Sequence, residues 1–347
     1  MNLKNKLNYL KTELKKQNKL YQPSQFWKEN INKFFAIFEK KGIKNFRSNS
    51  LANNFFIPLY HLRREKNADK FFQIIKKQKK KSPKLAAELT RQLSGYNHAL
   101  ADYRTFKASD NSNKLPFIHL FSENSAGKPK EQFNFDGRLY SRSSLNYLLG
   151  ISCLKKITKN FTPKKVLEIG GGFGILGHIL GLSKVSNLKY INLDLPPLSL
   201  ISEIYLKKSF GDNKVTDSFK EIKKKNIFIK KLKKFSSLPS WKIENLKGDI
   251  DLFVNFISFQ EMEPYILKNY IKNILRLKPK YILLRNLREG KQKITKKNSI
   301  GVKRQIKTHL YISLLKKNYN LIMKNVIPFG YKTYDNYNSE ILIFKIK

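Results

Sequence analysis

Apolar positions along this chain fall into two regimes. Before about residue 137 they recur every three or four residues, the period of helices that pack by one face. Leu3, Leu7, Leu10 and Leu14 form the first stripe, flanked by Lys4, Lys6, Lys11, Lys15 and Lys16. Such a basic amphipathic helix can lie on a membrane surface; docking on its own domain or on a partner subunit is the favoured reading. Pro23 and Ser24 precede a second pattern, Phe26, Trp27, Ile31, Phe34, Phe35 and Phe38, which Gly42 closes. The run KKQKKKSPK at 76–84 reads as a solvated loop or helix end, and helical periodicity returns from Leu85 to Ala101. Residues 106–137 are rich in Asn, Ser, Gly, Asp and Pro. They predict a long loop and a boundary between a mainly helical lobe, 1–137, and a second domain, 138–347.

In the second regime a helix over Tyr140 to Ile157 leads into short apolar runs that alternate with helical segments. Strands are expected at Val166–Glu168, Tyr190–Leu193 with Asp194 at its end, Asp249–Phe256 and Lys280–Leu284, with a weaker one between Asn226 and Leu232 or nearer Trp241. Helices are expected after Asp194, over Tyr265–Leu277 and over Val302–Asn318. The alternation predicts a parallel sheet covered on both faces. Leu321–Ile327 and Glu340–Ile346 have no crossover helix between them and predict an antiparallel edge.

The richest stretch is VLEIGGGFGILG at 166–177. A strand ending in Glu168 passes through Gly170, Gly171, Gly172 and Gly174 into helical spacing at Ile175, Leu176, Ile179 and Leu180. Glycine accepts positive φ and lets a ligand approach the backbone, and the helix behind it offers a positive dipole end. Asp194, twenty residues beyond Gly174, closes the second strand, where an acid can bond a ribose diol. Gly172-x-Gly174-x-x-Gly177 also satisfies the dinucleotide fingerprint, so the glycines alone fit either a nicotinamide dinucleotide or S-adenosylmethionine. Three features favour the second. Glu168 would repel a pyrophosphate and attract an ammonium or sulfonium; the motif lies mid-chain behind a helical lobe; and the fourth strand runs into a polar turn, Asn255 to Met262, containing Glu261.

Composition narrows the setting. The formal net charge is +45, with lysines spread from Lys4 to Lys347. An anionic partner would explain it, but so would codon bias in an AT-rich genome, given the abundance of Lys, Asn, Ile and Phe. A single cysteine excludes a disulfide framework within the chain and fits a reducing compartment. With no Sec-type leader and no apolar run of about 20 residues, a cytoplasmic protein is expected. His61, His98, His119, His178 and His309 show no metal-ligand spacing, and no carboxylate cluster calls for a metal.

The segment from about 137 to 347 resembles the class I S-adenosylmethionine-dependent methyltransferases, through Glu168-x-Gly170-x-Gly172-x-Gly174 and Asp194. More narrowly, VLEIGGGFG, INLDLPP and FVNFISFQEM resemble a family of sugar O-methyltransferases, with which Phe26-Trp27 and the terminal NSEILIF are compatible. The resemblance implies an α/β Rossmann-like sheet of seven strands, the last antiparallel, and a cytoplasmic role in modifying glycans or their activated precursors. It puts Glu168, Gly170, Gly171, Gly172 and Gly174 around the methionine part of S-adenosylmethionine, Asp194 on the ribose, Leu195 beside the adenine, and Asn255 near the methionine end.

Methyl transfer to a sugar hydroxyl needs a base. Glu261 is the candidate, with Gln260 orienting the sugar and Glu289 a second choice; Tyr331, Tyr334 and Tyr337 are candidates to stack on a sugar ring or to pack at the sheet edge. Gln260 stands where related small-molecule enzymes place a histidine. The partners expected are a sugar, nucleotide-sugar or glycan acceptor and no specific nucleic acid. Peripheral membrane contact and homo-oligomer formation remain open. An RNA methyltransferase of the same fold and a nonenzymatic basic nucleic-acid-binding protein are the alternatives.

Overall fold

The computed structural model describes residues 1–60, 68–158, 160–295, 300–333 and 336–347. His61 and Tyr334 lie outside them. The amino-terminal part forms α1 (Leu3–Lys16), α2 (Gln25–Lys41), α3 (Ser50–Phe55), α4 (Ala68–Gln78), α5 (Pro83–Leu93) and α6 (Tyr96–Ser109). Asn2 caps α1 by accepting the Asn5 N–H, and the Leu7–Leu10–Leu14 stripe is buried within the chain. Tyr9 meets Phe219 at 5.7 Å between ring centroids, so the basic helix spends its apolar face on its own protein. Gly42, at φ 64°, ends α2 as the sequence predicts. The pattern over 85–101 is two helices rather than one. Gly95 breaks it in a left-handed conformation, and any Cβ there would strike Tyr60.

A hairpin follows, β1 (Phe133–Phe135) and β2 (Arg138–Tyr140), with residues 136 and 137 at its tip, then α7 (Arg142–Thr158). One cluster of buried apolar side chains runs from Leu7 to Phe344, through both the helical part and the sheet. The remaining elements are β3 (Lys165–Ile169), α8 (Ile175–Leu182), β4 (Lys189–Asp194), α9 (Leu198–Phe210), α10 (Ser218–Ile222), β5 (Ile227–Phe228), β6 (Phe235–Pro239), β7 (Leu246–Lys247), β8 (Leu252–Phe256), α11 (Pro264–Arg276), β9 (Tyr281–Leu287), α12 (Thr308–Leu315), β10 (Tyr319–Asn325), β11 (Tyr331–Lys332) and β12 (Asn338–Ile346).

The central sheet has the order β10-β12-β9-β8-β3-β4-β6, with β11 added beside β12. β6, β4, β3, β8 and β9 are parallel, and β12 runs antiparallel to both β9 and β10. These seven strands with an antiparallel last strand are what the resemblance implies, extended by the two-residue β11. The chain winds from β3 toward β6 and then returns to β8, so the direction switches between β3 and β8, where a crevice opens at the strand ends. No helix among the described residues is long and apolar enough to cross a membrane.

Two expectations shift. The third strand of the sheet is β6, at 235–239, between the two predicted positions. Residues 227–228 pair instead with β7 in a separate ribbon. β6 escaped the apolar reading because Ser236 and Ser237 lie inside it, buried, with their hydroxyls donating to Thr216 Oγ1 and the Ser199 carbonyl at 2.8 Å each. The helix expected over 302–318 shrinks to α12, because Glu263 accepts the N–H groups of Lys303 and Arg304 and holds that backbone off helical form.

Candidate functional site

The crevice is a cavity of about 490 Å³, within the roughly 300–1,000 Å³ usual for small-molecule sites. Its floor is the glycine turn, Gly170, Gly171, Gly172 and Phe173; its walls are Asp194 and Leu195 after β4, residues 256–258 and 260–262 after β8, and Arg285 on β9. The helical part closes over it with Ser24, Trp27 and the segment 54–56. Two tyrosines of the carboxyl-terminal loop, Tyr331 and Tyr337, complete the wall.

The turn's conformation follows from what surrounds it. Gly170 has φ 73°, and a Cβ there would fall 2.2 Å from Ser258 Oγ. Gly172 has φ 57° with no atom closer than 3.6 Å to an added Cβ, so this glycine answers to backbone geometry and faces open space. Four glycine N–H groups of the turn are already taken. Gly170 donates to the Leu193 carbonyl at 2.8 Å and Gly174 to the Gly171 carbonyl at 3.0 Å. Gly171 donates to Asn192 Oδ1 at 3.1 Å and Gly172 to Asp194 Oδ2 at 2.8 Å. The other oxygen of Asp194 accepts its neighbour's N–H, that of Leu195, at 2.7 Å. Burial raises the Asp194 pKa to about 7 despite those two bonds, and Glu168 and Glu261 add to the rise.

Three predicted residues stand behind the wall rather than in it. Glu168 is fully buried beneath the turn, where its two oxygens accept the hydroxyls of Tyr147 and Tyr190 at 2.5 Å each. Burial lifts its pKa to about 7, and the two tyrosine bonds offset this only in part. Gly174 caps α8 in a left-handed conformation. Asn255 ties the switch point together: its amide donates to the Ile169 carbonyl and to Ser258 Oγ, while its carbonyl accepts from Phe259 and Asn286. These residues shape the turn without lining the cavity.

Gln260 and Glu261 do line the cavity. The Gln260 carbonyl oxygen accepts the Leu287 N–H at 2.5 Å, which leaves its amide nitrogen for a ligand. Glu261 Oε2 accepts the Trp27 indole N–H at 3.0 Å, and Oε1 stands 3.5 Å from Lys291 Nζ. Burial raises the Glu261 pKa, and Lys291 and Trp27 pull it partly back. Ser24 donates to the Glu261 carbonyl at 2.6 Å, so the start of α2 fixes this turn from outside the sheet. Glu289 is engaged elsewhere: both its oxygens accept from Asn338.

Several features of the site carry no sequence signal of their own. Ile257 sits at φ 72°, ψ −37°, a rare conformation for a β-branched residue, at the cavity wall beside Ser258. Arg142 and Arg285 come to the cavity from α7 and β9. Of the histidines, His178 is buried against Tyr205 with its pKa lowered to about 4 by burial, and His119 lies beside Asp110. Neither lines the cavity.

No protein-family model matches the chain, and no curated protein matches it. Among solved structures it is similar to magnesium protoporphyrin IX methyltransferase (ChlM) from Synechocystis PCC 6803 with bound SAH: 11% identity over 63% of this chain and 90% of that one, TM-score 0.42. It is also similar to the methyltransferase domain of bacterial CtHen1, at 13% identity over 59% of this chain and 100% of that one, TM-score 0.38. With the mitomycin 7-O-methyltransferase MmcR the identity is 13% over 53% of this chain and 49% of that one, TM-score 0.36.

Proposed function

We propose that the chain is an S-adenosylmethionine-dependent O-methyltransferase acting, in the cytoplasm, on a sugar hydroxyl of a glycan or an activated sugar precursor. One observation carries the choice of cofactor. Gly172 gives its N–H to Asp194 and Gly171 gives its own to Asn192. A dinucleotide pyrophosphate draws on N–H donors at such a turn; here Asp194 takes the Gly172 N–H and sets an acid in the same wall. A cofactor with a ribose diol and a positive charge suits the same wall.

The residues present fit that cofactor. Gly170, Gly171 and Gly172 would give its amino-acid end a wall free of side chains, Asp194 would accept from the ribose hydroxyls, and Leu195 would flank the adenine. When bound, S-adenosylmethionine supplies a methyl group on a positively charged sulfur. Glu261 would take the proton of the acceptor hydroxyl, since a carboxylate raised by burial is better matched to proton abstraction near neutral pH. The Gln260 amide would hold the sugar so that oxygen, carbon and sulfur lie in line.

Calorimetry with S-adenosylmethionine, S-adenosylhomocysteine and NAD tests the reading. Submillimolar binding of the sulfur compounds without NAD binding is expected; the reverse order of affinities would sink it. The +45 charge favours an RNA methyltransferase as the second reading, which predicts methyl incorporation into RNA and none into sugars.

A further inference from the structure

Two guanidinium groups line the cavity without an ion-pair partner among the described residues. Arg285, on β9, is 1% exposed. It donates only to neutral groups, Ser339 Oγ at 3.3 Å and the Asn146 carbonyl at 3.2 Å. Arg142, at the start of α7 and half-buried, donates to the Leu59 carbonyl at 2.8 Å. Neither forms an ion pair with a carboxylate among the described residues. The other large buried arginine, Arg47, does the opposite and pairs with Glu123 at 2.5 Å. A buried charge with no partner is costly.

The two arginines are held in place, aimed at one spot. Both lie over the Tyr331 ring, 5.3 Å (Arg142) and 4.7 Å (Arg285) from its centroid. Arg142 also covers Tyr60 and Arg285 covers Phe256. These aromatic faces fix the guanidinium planes without an ion pair. Lys291 and Lys332 line the same cavity. The acids nearby are committed: Asp102 accepts the Tyr60 hydroxyl, and Glu261 lies within 3.5 Å of Lys291. The Tyr331 hydroxyl registers the resulting field. Burial alone would raise its pKa, but Arg142 and Arg285, helped by a bond from Ser339 and by Lys291, lower it.

This cationic pocket adjoins the reactive end of the site. Arg285 is in register with Phe256 at the end of β8, and its carbonyl accepts the Ile257 N–H at 2.7 Å. We infer that Arg142 and Arg285 form an anion subsite, and that the acceptor carries a carboxylate or phosphate close to the hydroxyl that is methylated. The inference rests on the methyltransferase reading for the word acceptor; the subsite itself does not. Two planar guanidinium groups match a carboxylate or phosphate oxygen pair better than any neutral sugar.

The test is calorimetry on the full chain, with and without saturating S-adenosylhomocysteine, at constant ionic strength. The titrants are inorganic phosphate, D-glucuronate and D-glucose. Saturable binding of phosphate or glucuronate, at least about tenfold tighter than glucose, is expected. Phosphate alone would identify a phosphorylated acceptor and glucuronate alone a uronic acid. Arg142→Gln, chosen because this residue is only half-buried, should weaken anion binding about tenfold and leave S-adenosylhomocysteine affinity unchanged. Arg285→Lys should weaken it too, since the charge stays but the planar fork is lost. Binding of S-adenosylhomocysteine with no anion preference over glucose overturns the subsite alone, as does undiminished anion binding in both variants. Anion binding that depends on Arg142 in a protein that ignores S-adenosylhomocysteine upholds the subsite and overturns the methyltransferase reading.

Discussion

One carboxylate oxygen of Asp194 accepts the Gly172 N–H at 2.8 Å, so the acid that ends β4 fixes the turn that ends β3. The same carboxylate lines the cavity. Asp194→Ala therefore removes a ligand contact and frees the turn together. A hydrogen bond to a charged acceptor is worth about 1.5–3 kcal/mol, which corresponds to roughly 10- to 100-fold in affinity. Titration of the variant with S-adenosylhomocysteine should show a loss in that range with the far-UV circular dichroism preserved. Undiminished affinity would take Asp194 out of the site.

Glu168 makes stability depend on pH. Its carboxyl is fully buried, and burial raises its pKa from 4.5 to about 7. Between those two values the folded state holds a proton that the unfolded state has released. The contribution of Glu168 is thus greatest below the unfolded pKa and declines as pH rises toward the folded one. Glu168→Gln cannot titrate and can still exchange hydrogen bonds with Tyr147 and Tyr190. Relative to wild type, the variant should gain stability from about pH 4.5 to about pH 7, on the order of 3 kcal/mol in all. Urea denaturation at several pH values measures the difference, and parallel stability curves for the two proteins would rule the effect out.

How much of this was readable beforehand depends on where each signal resides. β3, β4, β8 and β9 are buried on both faces and appear as apolar runs in the sequence, so the parallel sheet and its glycine turn were legible. β6 was misplaced because its buried serines look like a loop until Thr216 and the Ser199 carbonyl are seen to receive their hydroxyls. Glu168 was found at its position and given the wrong neighbourhood. The two tyrosines that hold it sit 21 and 22 residues away, on α7 and β4, and no local pattern marks them. No local pattern pairs Arg142 with Arg285 either. They meet only because α7 and β9 pack together and Tyr331 brings its ring to both guanidinium groups.

Glu261 is positioned by two groups from different parts of the chain, Trp27 on α2 and Lys291 after β9. Glu261→Gln should lower kcat by about 10²- to 10⁴-fold while S-adenosylhomocysteine affinity stays nearly constant. Trp27→Phe separates positioning from chemistry. It deletes an N–H bond that helps lower the Glu261 pKa, so the acid limb of the kcat/KM profile should move to higher pH. An unmoved limb in Trp27→Phe, or full turnover in Glu261→Gln, would assign the proton transfer to another group.

Arg47 and Glu123 join the helical part to the segment before the hairpin through an ion pair with neither side chain exposed. Arg47 also lies over the ring of Phe173, at 5.0 Å from its centroid, and Phe173 is part of the glycine turn. The pair thus connects global stability to the cavity floor. Arg47→Met leaves the buried Glu123 carboxylate without its cation, with Ser141 still donating to it, which should cost about 3–5 kcal/mol, whereas removing both charges in Arg47→Met/Glu123→Leu should recover much of that loss. Denaturant melts of the two single variants and the double variant give the coupling energy. S-adenosylhomocysteine binding gives the second readout: it should weaken in Arg47→Met, because Phe173 loses the cation that packs against it. If the double variant is no more stable than Arg47→Met, the cost lies in packing and not in the unpaired charge.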